Sequence, residues 1–172
     1  QEMVPVIAQT VLACETMSKA RIGALIVFAR DSHLEEYFKT GTQIDGQVSE
    51  QLLRNIFFPK ASLHDGAMII RKNRLHAAGC LLPLSENPDI IKDLGTRHRA
   101  GIGMSENSDA LVIVVSEETG TISIAQGGKL TRGLDFYSLK NELEKELITT
   151  DRRELKEIVD RARREVHDEQ SE

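Results

Sequence analysis

The chain has 172 residues, the length of one ordinary domain, and its 40% hydrophobic content is too high for an intrinsically disordered protein. A net charge of −5 and the absence of tryptophan argue against a nucleic-acid polymer or a stacked carbohydrate as the partner. Cys14 and Cys80 form no Cys-x-x-Cys pair, and no apolar run is long enough to span a membrane, so we expect a soluble cytoplasmic domain.

The first half of the chain alternates helix and strand signals. Apolar residues at helical spacing predict a helix over 4–20, and a continuous β-branched run predicts a strand over 22–29 that is buried on both faces. A short helix over 33–38 and an extended segment over 41–45 precede a helix that begins after Ser49, a typical N-cap residue.

The second half of the chain predicts two hairpins and one further helix. Strands over 67–71 and 75–82 form the first hairpin, and a helix begins near 87–89 and ends near Arg99, before Gly101 and Gly103 break it. The later elements are a strand over 110–115, a turn over 117–120, a returning strand over 121–125 and a final strand that follows Gly127-Gly128.

We expect the core to end near Leu134, which divides the chain into a functional domain over 1–134 and a charged helical segment over 135–172. This segment carries a narrow apolar stripe, so it either packs as a final helix or projects as a linker. The stripe consists of Leu155, Ile158, Val159, Ala162 and Val166. The predicted fold class is α/β, of the mixed α+β type, with a central mixed sheet flanked by helices.

Three loops carry the reactive side chains, and each has an ordinary structural explanation when it is taken alone. Asp65-Gly66 is a common turn, residues 97–99 would suit a helix end, and residues 116–120 would suit a solvated hairpin turn. Together they offer carboxylates, an imidazole, arginines and a hydroxyl, which are the parts of a metal–nucleotide site.

The chemistry of these residues points to phosphate. Arginine guanidinium groups bind phosphate oxygens in paired hydrogen bonds, Thr96 adds a hydroxyl donor, and Gly66 allows backbone N–H groups to approach a ligand closely. Asp65 could act as a general base or as a metal ligand. Because the chain has neither a Walker A motif nor Gly-x-Gly-x-x-Gly, the site must be of another kind.

A combination of four motifs strongly resembles the diadenylate cyclase family, whose catalytic domain is called DisA_N. The motifs are Ile22-Gly23-Ala24-Leu25, Asp65-Gly66-Ala67, Arg97-His98-Arg99 and Ser116-Glu117-Glu118. The resemblance covers about residues 4–134, and it is closest to the CdaA-type, membrane-anchored branch. It implies a mixed sheet surrounded by helices, and a reaction that joins two ATP molecules into cyclic di-AMP with loss of two pyrophosphates.

The resemblance also implies roles for individual residues. Asp65, Arg97 and Arg99 would be catalytic, with Asp65 serving the attacking 3′-hydroxyl, while His64 and Glu118 would bind a divalent metal, Mg²⁺, Mn²⁺ or Co²⁺. Nucleotide binding would fall to Gly66, Ala67, Leu82, Thr96, Arg97, His98, Arg99, Ser116 and Glu117. Leu81 stands where CdaA-like members often carry an aromatic residue that stacks on adenine, so aliphatic contacts should hold the base here.

ATP is the expected substrate, and a second copy of the chain is the expected partner. One nucleotide cradle in each protomer cannot close a ring of two adenylates, so two protomers should meet face to face. The chain begins at Gln1 without a membrane segment, so we expect membrane attachment only through upstream segments of a bacterial, membrane-anchored parent. Two alternatives stay open: a non-catalytic domain that senses ATP or AMP, and a scaffold module whose loops bind no ATP.

Overall fold

The computed structural model describes residues 2–90, 92 and 94–171, and of residues 149–153 the backbone alone. The helices of this part are α1 (Met3–Ala20), α2 (Glu35–Phe38), α3 (Glu50–Phe57), α4 (Thr96–Asn107), α5 (Phe136–Leu143) and α6 (Thr149–Gln170), with a π-helical segment, Glu144–Ile148, between the last two. The strands are β1 (Ala24–Phe28), β2 (Thr42–Gln47), β3 (Ala67–Arg71), β4 (Arg74–Cys80), β5 (Leu111–Val115), β6 (Ile122–Gln126) and β7 (Lys129–Leu134).

Within the described residues, the strands form one sheet in the order β2-β4-β3-β1-β5-β6-β7. β1 pairs with β3 in parallel orientation, and the other neighbours are antiparallel. Helices pack on both faces of this mixed sheet, which confirms the predicted fold class. All residues of β1 and β5 are buried, as predicted for strands with two covered faces.

Alternate residues of β1 divide the hydrophobic core into two layers, because successive side chains of a strand point to opposite faces. Ala24, Ile26 and Phe28 belong to the layer that α1, α3 and α5 cover. Leu25 and Val27 belong to the opposite layer, which includes the apolar residues of α4. A surface cleft opens beside this second layer, since Leu25 and Ala100 contribute to both.

Most predicted elements are confirmed to within a few residues. Ser49 caps α3, and its Oγ accepts a hydrogen bond from the backbone N–H of Leu52 at 3.1 Å. The β3–β4 hairpin turns at Lys72 and Asn73, whose φ angles of 50° and 64° suit the tight turn that such a hairpin requires. Gly127 and Gly128 form the turn between β6 and β7, again with positive φ angles.

The predicted helix over 87–99 is wrong in both of its bounds. Residues 88–90 form a turn, residues 91 and 93 lie outside the described residues, and α4 begins at Thr96 and continues through both glycines to Asn107. Both glycines allow α4 to pack closely against its neighbours. A Cβ at Gly101 would lie 2.8 Å from Val114 Cγ2, and a Cβ at Gly103 would collide with the Pro83 carbonyl oxygen. They therefore bring α4 close to the sheet and to the segment that precedes it instead of ending the helix.

The core also extends beyond the predicted end at Leu134. Leu139, Leu143 and Leu147 are buried in the layer that contains α1, and Asp135 opens α5 with a capping box to Ser138. The apolar stripe of α6 is different, because Leu155 and Ile158 are each 60% exposed. No helix in the described part of the chain is long and apolar enough to cross a membrane.

Candidate nucleotide-binding site

A cleft of about 1020 Å³ lies where the loops before β3, after β4, before α4 and between β5 and β6 converge. Its size suits a small-molecule ligand. The cleft brings together most of the residues that the sequence singled out, namely His64, Asp65, Gly66, Leu82, Thr96, Arg97, His98, Ser116, Glu117 and Glu118. Ala67 and Arg99 are not among the residues that line it: Ala67 is fully buried as the first residue of β3, and Arg99 contacts a different segment.

The loop that carries Asp65 depends on the glycine that follows it. Gly66 has a φ angle of 111°, and a Cβ there would lie 2.8 Å from the backbone carbon of Gly79. Both the backbone conformation and the close approach to β4 therefore require glycine at this position. The turn leaves the Asp65 carboxylate exposed at the rim of the cleft, where it is accessible to a ligand.

His64 and Glu118 line the cleft and were the predicted metal ligands. His64 Nδ1 donates a hydrogen bond to the carbonyl oxygen of Ala61 at 2.7 Å, which leaves Nε2 as the nitrogen that can bind a cation. In the part of the chain that the structure describes, no group of three or more His, Cys, Asp or Glu side chains could hold a metal alone. A donor set of this kind fits an ion that takes most of its oxygen ligands from a nucleotide and from water.

The N-terminus of α4 forms another wall of the cleft. Gly95 precedes the helix in an extended conformation, and the first hydrogen bond of the helix runs from the Arg99 N–H to the Gly95 carbonyl at 3.1 Å. The N–H groups of Thr96, Arg97 and His98 therefore have no partners within the helix, and all three residues line the cleft. Such a terminus attracts an anion such as phosphate.

The Arg97 side chain lies over Gly23, at the entry to β1. A Cβ at position 23 would lie 2.5 Å from the Arg97 Cζ atom, so the absence of a side chain makes the space for the guanidinium group. Arg97 Nη1 lies 3.4 Å from Glu117 Oε1, and Arg97 Nε is buried without a hydrogen-bond partner in the described part of the protein. Arg97 is thus held in place with unused donor capacity.

Arg99 contacts a different part of the molecule. Its Nε and Nη2 atoms donate to the carbonyl oxygen of Ser85, each at 3.3 Å, and its own carbonyl accepts from the Ser85 N–H at 2.9 Å. The segment fixed in this way contains Leu84, which lines the cleft with Leu81, Leu82 and Leu94. Leu81 is 69% exposed, so an aliphatic surface is available to a flat base.

The imidazole of His98 is half-buried between cationic groups. Burial, together with the guanidinium groups of Arg132 and Arg97, holds the pKa of His98 below its usual range, and Glu118 acts in the opposite direction. Cys80 also lines the cleft, but burial raises the pKa of its thiol to about 11. The thiol therefore stays protonated at neutral pH and is a poor nucleophile.

Ser116 organises the turn between β5 and β6. Its Oγ accepts hydrogen bonds from the backbone N–H groups of Glu118 at 3.2 Å and Thr119 at 3.3 Å. Because both bonds use the oxygen as an acceptor, the O–H of Ser116 stays available to donate to a ligand in the cleft.

Sequence reasoning did not predict that Gly23 makes room for the Arg97 side chain. It also missed Ser123 and Arg132, which line the cleft. Ser123 does leave a signal, because it is the one hydroxyl in the apolar run 122–125, where a buried strand favours apolar residues. Arg132 leaves none, since a single arginine in a surface hairpin is common.

The family model described as DisA bacterial checkpoint controller nucleotide-binding matches residues 11–130. The chain is 52% identical over 134 residues to the cyclic di-AMP synthase CdaA of Bacillus subtilis, and 51% identical over 133 residues to a diadenylate cyclase of Listeria monocytogenes. These matches cover 78% and 77% of this chain and 49% of each relative, so the chain spans about half the length of the curated relatives it matches.

Solved structures show the same fold. A crystal structure of a DacA double mutant from Staphylococcus aureus has a TM-score of 0.80 and 46% identity, and the match covers 82% of this chain and 94% of that one. A hypothetical membrane spanning protein from Bacillus cereus has a TM-score of 0.71 and 42% identity, with 74% and 62% covered.

Proposed function

Because this chain belongs to the DisA bacterial checkpoint controller nucleotide-binding family, we propose that it acts as a diadenylate cyclase that condenses two ATP molecules into cyclic di-AMP with release of two pyrophosphates. One observation carries the proposal. A single cleft joins the exposed Asp65 carboxylate, the N-terminus of α4 with Arg97, and the Ser116 hydroxyl around a volume that suits a nucleotide.

ATP would bind between the aliphatic wall of the cleft and the wall that the N-terminus of α4 forms. The adenine lies against the leucines that follow β4, of which Leu82 was the one predicted. The phosphates lie at the N–H groups of Thr96 and Arg97, where the Arg97 guanidinium and the Ser116 hydroxyl add donors. Glu117 supports this arrangement through its ion pair with Arg97.

The reaction needs a base and an aligned electrophile. The Asp65 carboxylate accepts the proton of a ribose 3′-hydroxyl, and that oxygen forms a bond to the α-phosphorus of the other nucleotide while the bond from that phosphorus to the pyrophosphate oxygen breaks. In the second step, the 3′-hydroxyl of the other nucleotide attacks the α-phosphorus of the first nucleotide in the same way. This closes the ring and releases the second pyrophosphate.

His64 and Glu118 would hold a divalent ion beside the phosphates. When Mg²⁺, Mn²⁺ or Co²⁺ is bound there, it supplies neutralisation of the negative charge that develops on the phosphate oxygens. The hydrogen bond from His64 Nδ1 to the Ala61 carbonyl sets the tautomer, so that Nε2 carries the lone pair that such an ion would need.

Two protomers must contribute to each product, because each described cleft offers one Asp65 and one Arg97. A face-to-face dimer places each 3′-hydroxyl near the α-phosphate in the opposite cleft. The parent protein would be attached to the membrane through segments upstream of this chain, in line with the description of the Bacillus cereus neighbour as membrane spanning.

The test is incubation of the chain with ATP and Mg²⁺, Mn²⁺ or Co²⁺, with the products identified by mass. We expect cyclic di-AMP from the parent chain, a rate that rises faster than linearly with enzyme concentration below the dimer dissociation constant, and loss of turnover in Asp65→Asn. Since Asp65 is exposed at the rim, this variant should keep its melting temperature and its affinity for ATP. Binding of ATP without any product from the parent chain would contradict the proposal and identify a nucleotide-sensing domain.

A further inference from the structure

The mechanism above leaves one corner of the cleft unused. This corner consists of Ser123 on β6, Arg132 on β7 and the imidazole of His98. None of the four motifs that carried the family resemblance contains Ser123 or Arg132. The corner must therefore be assigned from its own contacts and charges.

Ser123 is a buried hydroxyl without a partner. Its exposed fraction is 0%, and its Oγ forms no hydrogen bond within the described part of the protein. A buried hydroxyl that lacks a partner costs free energy, and buried hydroxyls in native structures usually have a partner such as a ligand or an ordered water. Because Ser123 lines the cleft, a ligand in the cleft is the partner within reach.

Arg132 supplies a positive charge to this corner of the cleft. Among the described residues, no Asp or Glu forms an ion pair with it, whereas Arg97 is paired with Glu117. Arg132 is exposed at the rim, and its guanidinium is close enough to His98 to disfavour a second positive charge there. Glu118 is the acidic group that acts on His98 from the other side.

The order of the strands across the sheet indicates which part of a bound nucleotide would reach this corner. The leucine wall follows β4, Asp65 precedes β3, Ser116 follows β5, and Ser123 and Arg132 lie on β6 and β7, which is the order of these strands across the sheet. β3 and β7 are four strand spacings apart, about 19 Å. A nucleotide with its base at the leucines and its 3′-hydroxyl at Asp65 therefore extends its phosphates toward Arg132.

We propose that Ser123 and Arg132 form a subsite for the terminal phosphates of ATP and bind the pyrophosphate that the reaction releases. This inference rests on the proposed function for the orientation of the nucleotide. The Arg132 guanidinium donates to the terminal phosphate oxygens, and the Ser123 hydroxyl donates to a phosphate oxygen the hydrogen bond that it does not make to any described residue. The neutral His98 imidazole adds one N–H donor without repelling Arg132.

Calorimetric titration of the full chain with inorganic pyrophosphate, ATP and AMP, each with Mg²⁺, tests the subsite. Arg132→Gln should weaken binding of pyrophosphate and ATP by about tenfold or more, the loss expected for one charge-assisted hydrogen bond, and change AMP binding by less than about twofold. Arg132→Lys should recover part of this loss. Lys129→Gln is the matched control, since it removes the same charge from the other end of β7 and should leave all three affinities unchanged.

Ser123→Ala gives a second measurement that separates ligand binding from folding. Because the hydroxyl forms no hydrogen bond with the residues that the structure describes, its removal should leave the melting temperature unchanged or higher while pyrophosphate binds more weakly. Equal losses for AMP and ATP in Arg132→Gln, or pyrophosphate binding equal to that of the parent, would overturn the subsite. Product formation by the parent chain tests the proposed function independently. If the chain binds pyrophosphate through Arg132 but makes no cyclic di-AMP, the subsite is supported and the proposed reaction is contradicted.

Discussion

Arg97 and Arg99 lie two residues apart in the first turn of α4, and their side chains contact different regions of the protein. Arg97 lies over Gly23 and beside Glu117 in the cleft, whereas Arg99 donates to the carbonyl oxygen of Ser85 and fixes the segment before the helix. Successive helical residues are rotated by about 100°, so residues two apart point in nearly opposite directions. Two arginines at this spacing therefore place one side chain in the cleft and the other on the segment that forms its wall.

Substitution of the two arginines should give the largest contrast. Arg97→Ala should weaken ATP binding by about 10- to 100-fold and leave adenosine binding nearly unchanged, because it removes charge-assisted hydrogen bonds to phosphate. Arg99→Ala should lower the melting temperature by a few degrees, about 2 to 4 °C for each 1 kcal/mol lost, and weaken ATP and adenosine to a similar small extent. Titration of each variant with ATP and with adenosine measures the difference, and a selective loss of ATP affinity in Arg99→Ala would show that Arg99 also binds phosphate.

A smaller change tests whether ATP binding depends on the position of the Arg97 guanidinium over Gly23 as well as on its charge. In Gly23→Ala the new Cβ would meet the guanidinium group, the end of a flexible side chain, so the arginine should move while the fold persists. We expect ATP affinity to fall by about tenfold, the equivalent of one charge-assisted hydrogen bond, with a nearly unchanged melting temperature.

Gly46→Ala is the matched control for this substitution, because the nearest atom to a Cβ there is Ile44 Cγ2 at 3.4 Å and the position lies outside the cleft. If both alanine variants bind ATP like the parent, the position of the Arg97 side chain over Gly23 has no part in nucleotide binding.

The same contrast explains what the sequence could predict. Continuous apolar runs identified β1 and β5, and an N-cap serine identified the start of α3, because burial and local hydrogen bonding set those patterns. Local patterns failed at α4, where Gly101 and Gly103 were predicted to end the helix although they are required for close packing against Val114 and Pro83. Packing of this kind involves residues that are distant in sequence, so local patterns do not reveal it.

The candidate site divides in the same way. The structure brings Asp65, Arg97 and Ser116, which three of the motifs contain, into one cleft from just before β3, the first turn of α4 and just after β5. The motifs did not reveal that Arg99 would point elsewhere or that Arg132 would enter from the edge strand. Both facts depend on side-chain direction and on strand order, which no motif spacing records.

The pKa of His98, which lies between Arg97 and Arg99 in the sequence, should show the smallest of these differences between the two arginines. Burial is the first cause of its lowered pKa, and Arg132 and Arg97 add to it, while Arg99 is not among the causes. The folded protein therefore binds fewer protons than the unfolded chain just below the ordinary histidine pKa of about 6.5, so the free energy of unfolding should decrease as the pH falls through this window. Removal of the Arg97 charge should raise the pKa of His98 and weaken this decrease, whereas Arg99→Ala should leave both unchanged. Nuclear magnetic resonance titration of the imidazole, with thermal unfolding at several pH values, measures both quantities, and an equal rise in the His98 pKa in the two variants would contradict the separation of the two arginines.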